Sequence, residues 1–380
     1  ELQKEFEAAT EEAESYIDQG EFENILERNG ATGINASTSA DATRYFYSLP
    51  ANKAELFFAL ESDRFMNPVL REFYTERDVV MEERRQRTES SPTGRLIEEF
   101  MTTAFKAHPY GQPVIGHMSD LENLSRTDAR RFFRKYYNAG NLTIGIAGDV
   151  DPERMRELAE EYFARLPEGE PPLPVTTEEP EQISERRVIV REQTQPWVLI
   201  GYHRGDRMSA DAPVYQILGD VLTGGRTSRL CKGLVESQRA VNVQAIPAYP
   251  GDKFDTLFFL YGVPSRGVSP DSIEHEIYAE LDSVAQHGIS TEELERAKTK
   301  ARAQLIRGLD SNQNLAGQFA EMEALTGDWR NVFRRLEELQ AVTAEDVREV
   351  AQHVFERSNR TVAMIKTTDS SGESTASASP

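Results

Sequence analysis

The stretch LENLSRTDARRFFRKYYNAGNLTIGIAG, residues 121–148, is echoed by LQAVTAEDVREVAQHVFERSNRTVAMIK, residues 339–366. The two align without a gap at an offset of 218 residues. Leu121 matches Leu339, Asp128 matches Asp346, Tyr137 meets Phe355, and Asn141-x-Thr143 meets Asn359-x-Thr361. Ser125-x-x-Asp128 and Thr343-x-x-Asp346 read as helix starts in which hydroxyl and carboxylate each satisfy a free backbone N–H. About three helical turns follow in both copies, then a turn, then a β-rich run, Thr143–Ala147 and Thr361–Ile365. A shared cap, helix, turn and strand over this length point to an internal duplication.

Between the copies runs a segment rich in Pro, Glu and Thr, from Pro167 to Gln182, with Pro171, Pro172, Pro174 and Pro180. Such a run excludes regular helix and central strand, and it predicts an extended connection. The expected organisation is a first domain over residues 1–166, a linker over 167–185, a second domain over 186–367 and a tail over 368–380. The second domain opens on a strand near Arg187–Val190. Subtracting the repeat offset puts that strand's counterpart ahead of Glu1, so the first repeat is expected to lack its opening strands and a helix. Residues 1–19 read as an amphipathic helix, with Leu2, Phe6, Ala9, Ala13 and Ile17 at helical spacing. The Ser/Thr-rich tail from Thr368 carries no apolar pattern and is expected to be disordered.

Net charge is −21, which argues against nucleic acid, since a phosphate backbone needs a basic face. That charge also permits an acidic chamber that attracts basic peptides, or serves only solubility. No window approaches 18 uninterrupted apolar residues, so no membrane span is expected. The single cysteine, Cys231, excludes an internal disulfide and reads as a small packed hydrophobe.

Residues 68–89, PVLREFYTERDVVMEERRQRTE, are rich in helix formers and predict one helix from Pro68 to about Glu89. Glu76 and Glu83 are two turns apart and share a face, while Glu82 points about 100° away. Residue chemistry alone favours a solvated face with pairs such as Glu83–Arg87. Gly33-Ile34-Asn35-Ala36-Ser37 and Tyr45-Phe46-Tyr47 read as two short strands. By themselves they are compatible with an ordinary edge, blunted by Asn35 and Asp41, or with a docking edge.

Several runs in order resemble the pitrilysin/insulinase family of zinc metallopeptidases, in particular bacterial members related to the mitochondrial processing peptidase. They are GATGINASTSADATRYFYSLP (30–50), ESDRFMNPVLREFYTERDVVMEERR (61–85), HPYGQPVIG (108–116) and YYNAGNLTIGIAGDVDPE (136–153). The likeness continues through LTGGRTSRL (222–230) and LTGDWR (325–330) and covers about residues 20–366. It implies an α+β chain of two homologous α/β sandwich domains, each a mostly antiparallel sheet covered by helices on one face, forming one half of a clam-shell. It also implies a Zn²⁺ peptidase in which H-x-x-E-H supplies two imidazoles and the general-base glutamate. Here Glu83 matches the further metal ligand and Glu76 the supporting carboxylate. Gly33, Ile34, Asn35, Ala36 and Ser37 match the edge strand to which a peptide substrate adds.

The six histidines are His108, His117, His203, His275, His287 and His353, and no two are four apart. H-x-x-E-H is therefore absent, and the resemblance places it, with its general-base glutamate, upstream of Glu1. His108 and His117 are poor substitutes, because Pro109, Gly111 and Pro113 deny them a common helical face. In many relatives the second half, or a partner, carries an Arg and a Tyr seven residues apart that bind substrate. In LVESQRAVN (234–242) those places hold Val235 and Asn242. Arg226 and Arg229 match a helix-packing turn instead. The expected partners are thus a peptide substrate and either a homologous subunit with the Arg/Tyr pair or a cleaved N-terminal fragment. The expected function is most of the zinc-bearing subunit of a metalloendopeptidase acting on extended peptides, inactive alone. The alternative is a non-catalytic peptide-binding or scaffold subunit of a heterodimeric peptidase. A periplasmic or exported location follows from the resemblance alone.

Overall fold

The computed structural model describes residues 20–368 together with Lys4, Glu5, Ala8, Ala9, Glu12 and Tyr16. The amphipathic reading of residues 1–19 rests on Leu2, Phe6, Ala13 and Ile17, which lie outside the described residues, as does the tail beyond Thr368. Thr368 itself is tied to the sheet, its N–H donating to Glu192 O.

Both copies of the repeat fold as their caps dictate. The helices Arg126–Tyr136 and Ala344–Val354 begin at Ser125 and Thr343, each with a complete capping box to Asp128 or Asp346. The strand after the second copy forms over Arg360–Thr367. The strand expected at Thr143–Ala147 does not form. Extended chain becomes a strand only by pairing with a neighbour. This run has no strand partner among the described residues, and Gly145 instead lies against the backbone of Ala316.

The first half comprises α1 (Glu21–Arg28), β1 (Thr32–Thr38), β2 (Thr43–Ser48), α2 (Ala54–Met66), α3 (Phe73–Arg84), α4 (Pro92–Ala104), α5 (Met118–Asn123), α6 (Arg126–Tyr136) and α7 (Pro152–Phe163). Its sheet is the β1–β2 hairpin alone, so the sandwich expected here has only two strands among the described residues. The helix expected from Pro68 starts later, at Phe73: Leu70 adopts a positive φ of 51° and interrupts it. A π-helical turn, Arg85–Glu89, continues α3.

The second half holds β3 (Arg186–Glu192), β4 (Trp197–Arg204), α8 (Ala212–Thr223), β5 (Ala240–Tyr249), β6 (Thr256–Pro264), α9 (Pro270–His287), α10 (Thr291–Gly308), α11 (Asn312–Thr326), α12 (Asn331–Ala341), α13 (Ala344–Val354) and β7 (Arg360–Thr367). Five strands form one sheet in the order β3-β7-β4-β6-β5. Only β3 and β7 are parallel; the other pairs are antiparallel. Helices cover both faces, not one. Val198, Ile200 and Tyr202 of β4 meet α8, α9 and α13 through residues such as Ile217, Ile277 and Val347. Leu199, with Leu257, Phe259 and Ile365, meets Leu96, Phe100 and Met101 of α4. The reason is the strand sequence WVLIGYHR: with apolar residues at both odd and even positions, it must be buried on both sides. The first half supplies the second cover.

The connection over residues 167–185 has neither helix nor strand, as its prolines require. It is nevertheless fastened. Glu179 accepts from the backbone N–H groups of Lys106 (2.8 Å), Ala107 (2.9 Å) and His108 (3.1 Å). Burial alone would raise the Glu179 carboxyl's pKa, but these donors overcome it and hold the group below the usual carboxylate range. Gln182 donates to Arg360 O and accepts from Thr361 Oγ1 at the sheet end.

Arg229, in the turn expected to serve helix packing, grips Glu293 (2.6 Å), Glu280 (3.1 Å) and Gly288 O. The Arg229 guanidinium, helped by the Ser290 N–H and hydroxyl, brings Glu293 down to about 2. A carboxyl lowered on folding contributes stability above its unfolded value of about 4.3, and that contribution is lost as pH falls through about 2. Melting temperature should therefore drop between pH 4 and pH 2. Arg229→Ala should lower it already at pH 7 and flatten the acid limb; an unchanged limb would show that the pair is idle. Cys231 packs against the same core, as a small hydrophobe would.

Candidate functional site

The hairpin is the feature around which a site can be built. β1 pairs only with β2, so its other edge has no strand neighbour among the described residues, and it is largely exposed along its length. Ladder alternation turns every second backbone N–H of such a strand outward. The Ala36 N–H is bonded by its neighbour's side-chain oxygen, Asn35 Oδ1, at 2.7 Å. Gly33 takes a φ of +64° beside a register shift between Thr32 and Asn35, a kink that suits glycine. Gly33, Ile34, Asn35, Ala36 and Ser37 thus all lie on this one strand. Small side chains at Ala36 and Ser37 leave room for another backbone, while at Gly33 the Gln313 side chain lies close, its Nε2 donating to Gly33 O at 3.5 Å.

The strand is held from behind. Tyr45 of β2 hydrogen-bonds Tyr137 (2.8 Å), and Tyr47 donates to Glu61 on α2 (3.0 Å). Burial is the main cause that pushes both phenols up. Arg64 pairs with Glu61 and stacks 4.4 Å from the Tyr45 ring centroid. At the hairpin turn, Asp41 joins the two halves. It accepts from the Tyr110 hydroxyl (2.5 Å) and from the N–H groups of Asp252 (2.9 Å) and Lys253 (3.2 Å).

Glu76 and Glu83 both lie on α3, as their spacing predicts. Glu76 is exposed, and Glu83 is half-exposed and paired with Arg87 at 2.7 Å. Glu82 is turned to Gln86 and Arg85. A zinc site needs three protein ligands converging within bonding distance. Among the described residues no three His, Cys, Asp or Glu side chains converge. His108 Nδ1 accepts from the Tyr110 N–H as the cap of a short turn, and burial holds its pKa below the usual histidine value. His117 contacts Gln112, and His203 contacts Ala104 O. His275 and His353 contact backbone carbonyls of their own helices. The described residues do not make a zinc site.

Two family profiles cover this architecture: "Insulinase (Peptidase family M16)" over residues 9–117 and "Peptidase M16 inactive domain" over residues 123–301. Zinc protease PqqE of Helicobacter pylori is 31% identical over 362 residues, spanning 91% of this chain and 79% of that protein. The chain belongs to peptidase family M16. The crystal structure of a protease from Helicobacter pylori matches this M16 chain with a TM-score of 0.84 and 27% identity, covering 92% of this chain and 86% of the other. A peptidase M16 inactive domain from Pseudomonas fluorescens shares the fold at a TM-score of 0.81 and 18% identity, covering 93% and 85%.

In the second half of this M16 chain, Val235 packs against the core and Asn242 donates to the Tyr261 hydroxyl at 3.2 Å. Neither offers a guanidinium. Arg226 is exposed and Arg229 is engaged as described above. Two features carried no sequence signal: the Glu179 clamp inside a proline-rich run, and the part Asp41 plays in joining the halves. Each depends on backbone N–H groups more than 70 residues away in sequence.

Proposed function

We propose that this M16 chain is most of the zinc-bearing subunit of a metalloendopeptidase, contributing the strand that receives the substrate and one carboxylate toward the metal. The observation that carries the reading is the exposed edge of β1, which has no strand partner among the described residues and is rigidly backed by β2. An extended peptide adding there would exchange the local Asn35 bond to the Ala36 N–H for a ladder bond. The names of the zinc protease relatives support the reaction class. Glu83 would be the metal carboxylate and Glu76 its supporting neighbour. With one carboxylate and no H-x-x-E-H in the sequence, the imidazoles must come from outside these 380 residues. Val235 and Asn242 leave a need for a second chain bearing the Arg/Tyr pair. The two-domain division at residues 167–185 and an exported location belong to the same proposal.

A second reading, a non-catalytic peptide-binding subunit, is favoured by the Glu83–Arg87 pair, which already neutralises the carboxylate. Both readings use β1. Ala36→Pro removes the outward N–H and should weaken binding of an extended, unfolded peptide by about tenfold or more, with little change in melting temperature. Unchanged affinity, measured by calorimetry, would remove β1 from the account.

A further inference from the structure

Four helices of the second half, α8, α10, α11 and α12, enclose an open cleft of about 390 Å³. Its polar lining comprises Arg207, Gln216, Gln304, Gln318, Glu321 and Arg335. Most of these charges are already matched. Arg207 grips Asp252, with Nη2 at 2.5 Å from Oδ1 and Nε at 2.8 Å. Glu321 accepts from Arg44 of β2 at 2.6 Å and lies 3.8 Å from Arg207. Arg335 is different: half-buried, it has no hydrogen bond or ion pair among the described residues. Its nearest charged influences are Arg207, which repels it, and Asp252 and Glu338, which attract it from a distance. Burial is the main cause that pulls its pKa down. Gln216 and Gln318, also half-buried, likewise show no side-chain hydrogen bond among the described residues.

The Arg335 guanidinium lines an open cleft beside a second arginine and spends none of its N–H donors on the described residues, so they are free for an incoming anion. A planar fork of N–H donors is, however, the natural receptor for a carboxylate, which it binds through two parallel hydrogen bonds. The flanking carboxamides can serve the adjoining amide of a peptide. We infer that the cleft between α8, α10, α11 and α12 is a carboxylate-binding site, with Arg335 as the anchoring residue and a peptide carboxylate, side-chain or C-terminal, as its ligand. The cleft volume suits one or two residues. α11 borders both this cleft and the hairpin, through Glu321–Arg44 and Gln313–Gly33, so a peptide held at one is close to the other. That the carboxylate belongs to a peptide rests on the peptidase reading; the anion chemistry of Arg335 does not.

The test is calorimetry of the full chain with N-acetyl-Ala-Ala-Ala-Glu in four forms: free acid or C-terminal amide, each with Glu or Gln at the end. The Gln amide should bind about tenfold or more weakly than the Glu acid. Whichever single change causes the loss identifies the carboxylate used. Arg335→Gln should cause the same loss with little change in melting temperature, since the guanidinium has no hydrogen bond or ion pair among the described residues to lose. If Arg335→Gln does not fold, Arg335→Lys, which keeps charge but loses the fork, should weaken binding in its place. Equal affinity of all four peptides, equal affinity of wild type and variant, or no binding of any form would overturn the inference. Ala36→Pro separates the two sites: loss of all four peptides in that variant, with no preference among them in wild type, would leave β1 standing and the cleft without a role.

Discussion

Phe100→Ala is expected to cost about 3–5 kcal/mol of unfolding free energy. Phe100 is fully buried on α4 and lies against Phe259, with ring centroids 5.3 Å apart. It also fills the hollow left by a glycine: a Cβ built on Gly201 would lie 2.7 Å from Phe100 Cζ. The neighbours Leu199, Leu257 and Ile365 sit on strands and cannot slide inward to close the gap, so truncation leaves a cavity as well as losing burial. Because α4 belongs to the first half and the strands to the second, the loss should loosen the union of the two. Denaturant unfolding checks this. A change under about 1 kcal/mol would mean that α4 does not cover the sheet in solution. Gly201→Val should fail from the opposite direction, by overpacking the same ring.

Asp41→Ala is expected to cost about 3 kcal/mol, because it removes an acceptor that serves three donors, one in its own half and two in the other. The Tyr110 hydroxyl would be left without its Asp41 acceptor, its ring nearly buried among Phe105, His108 and Phe254. The N–H groups of Asp252 and Lys253 would lose their partner as well. Asp41→Asn keeps one acceptor and should recover part of the loss. If both variants unfold like wild type, water replaces the carboxylate without penalty and the hairpin is not anchored through its turn. Peptide affinity should fall with stability here, since β1, the strand proposed to receive the peptide, ends at this turn.

The two capping boxes, at Ser125 and Thr343, were legible because a cap is a local event: hydroxyl, N–H and carboxylate lie within one helical turn. The same holds for Glu76 and Glu83 sharing α3 and for the β1–β2 hairpin. The failures are non-local. Thr143–Ala147 has a strand's composition, but pairing depends on a neighbour that no local pattern specifies. The second cover on the five-stranded sheet is hinted at by the doubly apolar WVLIGYHR, yet nothing in that run says that α4, some 100 residues earlier, supplies it. The start of α3 was misplaced because Leu70 takes a left-handed conformation that no glycine advertises. Arg335 was invisible for a further reason: an arginine on an amphipathic helix reads as solvated until four helices are seen to close around it.

The central claim is that this M16 chain carries the substrate strand and a single metal carboxylate, without the imidazoles that would complete a zinc site. Titration of the full chain with Zn²⁺, in buffer free of chelators and phosphate, tests it most directly. The account predicts no stoichiometric site of submicromolar affinity and no difference between wild type and Glu83→Gln. One zinc bound per chain with submicromolar affinity, and lost in Glu83→Gln, would contradict it and place a complete metal site within these 380 residues.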